Sequence, residues 1–172
     1  MENGGLQKNW IRILLTFLTA AVMVMIFFFS METAEQSDET SGAITRQVIV
    51  VLYPDYAEYA EEQQQEVYDS IQLAVRKTAH YTEYMILGFL MRLCLESWFG
   101  KHRWLIPVSW AVSTLYASTD EIHQVLIDGR SGQWTDVLLD SAGVLSGVLL
   151  ASLILYRIRK TNGRKGTEEA CP

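Results

Sequence analysis

Thr119–Gly147 reads TDEIHQVLIDGRSGQWTDVLLDSAGVLSG. It places Asp120, Glu121, His123, Asp128, Arg130, Asp136 and Asp140 between two apolar stretches of bilayer-spanning character. Charges in such a position are costly unless they face a protein interior or water, so they mark a functional site by default.

Outward from this run, the apolar residues gather into blocks with charge piled between them, the pattern of a polytopic membrane protein. The hydrophobic fraction of 49% would suit a soluble chain, but its distribution would not. The blocks fall at about 10–30, 79–98, 104–122 and 134–156, and a basic tail covers 157–172. The expected fold is therefore all-α: one membrane domain of about four transmembrane helices. The first block begins after Lys8 with Arg12 inside it and resembles a signal peptide in outline. It is longer than a usual signal core, and no small-residue cleavage site follows Phe27–Phe29, so an uncleaved anchor is expected.

The net charge is −6, with acids concentrated between Glu32 and Asp69 and bases toward both ends. No basic surface suggests nucleic acid. Cys94 and Cys171 make no disulfide framework. With four spans, Lys8, Arg12, Lys101, Arg103, Arg157, Arg159, Lys160, Arg164 and Lys165 share one side. Only Arg46, Arg76, Lys77 and Arg130 lie on the other, and nine against four places both termini in the cytoplasm. Trp10, Trp98, Trp104, Trp134 and Tyr156 fall near the predicted interfaces.

The first outer segment, 31–76, carries two helical stripes. Ile44, Val48, Val51 and Leu52 form one; after Pro54, Tyr56, Ala60, Gln63, Val67, Ile71, Ala74 and Val75 form the second. Two amphipathic outer helices are expected. Their acids read as a solvated face, and repulsion from anionic headgroups favours packing on protein.

This topology brings the outer ends of spans two, three and four to one level. Lys77, His80, Glu83 and Tyr84 share a helical face on span two. Ser113, Tyr116, Asp120 and Gln124 recur near one face of span three, flanked by Glu121 and His123. Asp136 and Asp140 are one turn apart on span four, and Gly143 and Gly147 continue their stripe. Glycines so spaced admit a close neighbouring helix and turn the aspartates inward. Gly129 and Gly132 suit a tight turn carrying Arg130. Glu83, Asp120, Glu121, Asp128, Asp136 and Asp140 outnumber Arg76, Lys77 and Arg130 by three. A partly desolvated site does not hold that surplus, so some carboxyls are protonated, some face water, or a cation sits there. Arg92 and Glu96, one turn apart near the other end of span two, read as a snorkelling ion pair.

Two segments resemble a known family. Arg76–Leu90, RKTAHYTEYMILGFL, is similar to the RK-AH-F/Y-x-EY pattern of the VanZ-like family. Ser118–Gly147 resembles its second motif, carried here by Asp120, Glu121, Gln124, Gly129, Arg130, Gly132, Asp136, Val137, Asp140, Gly143 and Gly147. The position of Asp140 is often Asn in that family. The resemblance implies a small bacterial integral membrane protein. It also points to antibiotic response, since the founding member is associated with low-level resistance to teicoplanin, a glycopeptide that binds cell-wall precursors. It supplies no settled activity and no cofactor.

Three functions follow. In the first, an outer polar pocket binds an envelope lipid, a wall precursor or the glycopeptide, with Lys77 and Arg130 holding an anion and the acids an amine or cation. In the second, the chain is a membrane-embedded enzyme acting on a lipid-linked or cell-wall substrate. His80 or His123 is then general base or metal ligand, Asp120 and Glu121 exchange protons, and Arg130 is an electrostatic clamp. The His and acid spacings match no strong metal signature. In the third, Lys77, Glu83, Asp120, Glu121, Arg130 and Asp136 form a network that sets helix register. Glu121, Arg130 and Asp136 are the strongest candidates.

Overall fold

In the computed structural model, residues 3–125 and 134–168 are described. Arg130, Asp128, Gly129 and Gly132 lie outside them. The described chain is helical throughout, with no strand: α1 spans Asn3–Ser30, α2 Ala34–Leu52, α3 Glu61–Phe99, α4 Leu105–Gln124 and α5 Trp134–Glu168.

Local chemistry sets the boundaries. Thr33 and Gln36 form a capping box at the start of α2, the Thr33 hydroxyl accepting from Gln36 N–H at 3.3 Å and the Gln36 side-chain carbonyl from Thr33 N–H at 3.0 Å. These bonds satisfy two otherwise orphaned donors. Pro54 follows the end of α2 and prevents its continuation. Gly100 ends α3 at φ +78°, donating its N–H to the Glu96 carbonyl at 2.9 Å. A left-handed residue there suits glycine.

Two helices run further than hydropathy predicts. The second amphipathic stripe of the outer segment is no separate helix; from Gln63 to Val75 it is the first part of α3, a helix of 39 residues, with Tyr56 and Ala60 just before it. Arg76 and Lys77 interrupt the apolar character there, but no proline or cap interrupts the backbone, and caps rather than polarity end helices. Likewise α5 continues through most of the expected basic tail.

Every other helix packs on α3. The core is built from Ile26, Tyr84, Leu87, Ala117, Val144 and Val148. The α3–α5 crossing is closest at three glycines. A Cβ on Gly88 would overlap the Val144 backbone, one on Gly143 the Tyr81 carbonyl, and one on Gly147 the Met85 carbonyl. Gly88 supplies the α3 side of this seam, a role the sequence reading did not assign.

Among the described residues, two segments are long and apolar enough to cross a membrane, Lys8–Ser30 in α1 and Trp134–Asn162 in α5. The other two expected spans lie in helices that fall short of that measure. Glu83, Arg92 and Glu96 interrupt the one in α3, and serines, threonines, Asp120 and Glu121 dilute the one in α4. Most of these charges turn inward: Arg92, Glu96, Asp120 and Glu121 are all buried. Apolar side chains turn outward instead, Phe17 at 68%, Leu115 and Ile122 at 66% and Leu149 at 52% exposure. Apolar exposure on several helices marks a surface meant for lipid or protein rather than water.

Candidate functional site

At one end of the bundle the polar residues of α3, α4 and α5 meet. Lys77 Nζ lies 3.3 Å from Asp136 Oδ1, joining α3 to α5. One turn on, His80 Nδ1 stands 4.0 Å from Asp140 Oδ1. Another turn on, the Tyr84 hydroxyl donates to Asp120 Oδ2 at 3.0 Å, joining α3 to α4. Gln124 Nε2 donates to the same oxygen at 3.3 Å from one turn along α4. The shared α3 face of Lys77, His80 and Tyr84 thus reads out onto the aspartates of two different helices.

The carboxylates are close neighbours. Glu121, Asp120, Asp136 and Glu83 all act electrostatically on Asp140. Asp140 is fully buried, and neither of its oxygens accepts a hydrogen bond among the described residues. Burying a carboxyl so poorly served is expensive, and packing alone does not repay that cost. Gly143 and Gly147 hold α5 so near α3 that Asp136 and Asp140 reach the Lys77–Tyr84 face.

A cavity of about 140 Å³ adjoins the cluster. His80, Glu83 and Asp120 form its inner wall, and Ile26, Ser30 and Ser41 close it from α1 and α2. Ser30 is 3% exposed, and its hydroxyl has no hydrogen-bond partner among the described residues. Arg76 lines the same cavity, its guanidinium 3.4 Å from Asp38 on α2. The small polar residues of α2 were not singled out from the sequence, although Ser37, Ser41, Ile44 and Val48 recur on one helical face and would have marked it.

Other expected members stand apart. Tyr116 turns toward α1, donating its hydroxyl to the Met23 carbonyl at 2.6 Å. His123 packs against Phe27, with ring centroids 5.2 Å apart. Ser113 is buried. Among the described residues no cluster of three or more His, Cys, Asp or Glu is arranged to hold a metal ion.

At the opposite end, Arg92 and Glu96 pair at 2.5 Å, as their spacing predicts, but they do not snorkel. Both are buried between α3 and α5, where Arg159 also pairs with Glu96 and Arg92 Nε donates to Ser152 Oγ at 3.2 Å. Cys94 is buried nearby as a free thiol.

A family model described as VanZ/LLP1 matches residues 15–155, from within α1 to near the end of the apolar part of α5. No curated protein and no solved structure matches the chain.

Proposed function

This chain belongs to the VanZ/LLP1 family of membrane proteins, and from that premise we propose that it is a four-span bacterial protein that binds an envelope ligand without chemistry. The spans are α1, the second half of α3, α4 and α5, with both termini in the cytoplasm. The distribution of Lys and Arg supports that orientation. The outward Leu115 and Ile122, with inward Asp120 and Glu121, support a membrane position for α4 despite its modest hydropathy. The polar cluster then lies at the outer face of the cytoplasmic membrane.

The observation that carries the binding role is the buried, poorly served Asp140 amid four other carboxylates, beside a cavity lined by Glu83 and Asp120. Such a site recognises a polar or cationic group of a lipid or wall precursor. Occupying or sequestering that precursor changes the access of a glycopeptide to its target. The test is teicoplanin susceptibility in a sensitive Gram-positive host carrying wild type, Glu121→Gln, Asp120→Asn or empty vector, with membrane levels matched by blot. Protection by wild type alone is the expected result. Equal protection by the variants would remove the cluster from the function.

A further inference from the structure

The cavity beside the cluster does not end at its polar wall. A second, larger hollow of about 610 Å³ lies in the wedge between α2 and α3. Its walls are apolar, with Val48 and Leu52 on α2 and Ile71 and Ala74 on α3. The two hollows share Ile44, Val75, Ala79 and Glu83, so the apolar groove and the polar cavity adjoin along one stretch of α2 and α3. From Ile71 to Glu83 the groove follows α3 for about 18 Å at the rise of an α-helix.

Charge decides what belongs at the polar end. The cavity walls carry Glu32, Glu83 and Asp120 against Arg76, with His80 beside them; Arg76 is engaged by Asp38, and one Asp120 oxygen by the neutral donors Tyr84 and Gln124. An anionic headgroup would meet that field unfavourably, whereas an ammonium would offset it. The unpartnered Ser30 hydroxyl offers a hydrogen bond in the same wall. The cavity volume, against the about 10–15 Å³ that one water needs by the same measure, suits a small headgroup.

We propose that the site takes an amine-bearing membrane lipid, its ammonium in the cavity on Glu83 and Asp120 and one acyl chain in the α2–α3 groove. This rests on the binding role above and deepens it, because it assigns the ligand a chain as well as a headgroup. Ala79 sits on the shared wall and is exposed to the hollow, so a large side chain there blocks the groove without entering the core.

The experiment is native mass spectrometry of the purified full-length protein, titrated with phosphatidylethanolamine or phosphatidylglycerol of identical chains. Ala79→Trp, Val48→Trp and Glu83→Gln are compared with wild type, each checked for helicity and monodispersity. Wild type should retain phosphatidylethanolamine at least about tenfold better, the worth of one charge-assisted hydrogen bond. Glu83→Gln should erase that preference, and both tryptophan variants should weaken retention of either lipid by a similar factor. Equal retention of the two lipids by wild type would overturn the amine assignment. If Glu83→Gln weakens retention and both tryptophan variants match wild type, the polar site stands and the chain groove falls. If no variant changes retention, the polar binding role falls with it.

Discussion

Alanine at Gly147 should separate α3 from α5, and the structure sets the size of the effect. An added Cβ would overlap the Met85 carbonyl oxygen and come within 2.8 Å of Phe89 N and 2.9 Å of the Met85 carbonyl carbon. Carbon contacts are comfortable at about 3.5–4.0 Å, so the helices must part by on the order of 1 Å. The obstructing atoms are backbone and cannot swing aside. Overpacking of this kind costs about 1–3 kcal/mol, and a rigid obstacle places Gly147→Ala near the upper end. Alanine recovers about 0.5–1 kcal/mol of helix propensity. The net loss is then about 2 kcal/mol, roughly thirtyfold in the folding equilibrium. Gly42→Ala is the control. Its Cβ would meet the Tyr68 hydroxyl at 3.1 Å, the end of a side chain that can rotate, so the propensity gain should leave it neutral or slightly stabilised. Reversible unfolding in mixed micelles, titrated with a denaturing detergent and followed by tryptophan fluorescence, measures both. Gly143→Ala combined with Gly147→Ala should cost less than the sum, because the first change already opens the seam for the second. Wild-type stability for Gly147→Ala would refute the close crossing, and with it the placement of Asp136 and Asp140 against α3.

Other substitutions follow from the same geometry. Tyr84→Phe removes the hydroxyl that donates to buried Asp120, and should cost about 1.5–3 kcal/mol in the same unfolding assay. Glu96→Ala leaves buried Arg92 without its partner and should cost about 3–5 kcal/mol, whereas Arg92→Met with Glu96→Leu should cost less than Glu96→Ala alone. Lys77→Gln should cost no more than about 1 kcal/mol, because the Lys77 side chain keeps 43% of its surface exposed where it meets a half-buried Asp136, and a larger loss would mean the pair is better sealed than its exposure indicates.

The helical class and the family were legible because apolar blocks, glycine spacing and the two motifs are written locally in the chain. The pairing of α3 with α5 left a trace in Gly143 and Gly147, but its other half, Gly88, stood in an apolar run where a lone glycine carries little signal. Hydropathy divided α3 at Arg76 and Lys77, whereas the backbone runs on because nothing there caps it. Arg92 and Glu96 declared themselves by spacing. Their burial did not, because it depends on Arg159 and Ser152 of α5. The acids and bases of the cluster were visible as costly charges. The cavity beside them was not, since α1 and α2 close it with residues as plain as Ile26, Ser30 and Ser41. A hollow between helices belongs to their packing, and single-helix periodicity cannot report it.

The account turns on the cluster end of the bundle facing outward across the bacterial membrane. Cysteine labelling in intact cells tests this directly, in a background with Cys94→Ser and Cys171→Ser. Glu58→Cys reports on the exposed turn between α2 and α3, and Lys101→Cys on the exposed turn between α3 and α4. A membrane-impermeant maleimide should label Glu58→Cys in intact cells and Lys101→Cys only after permeabilisation. The reverse pattern, or labelling of both from outside, would contradict an outward-facing site in a four-span bundle.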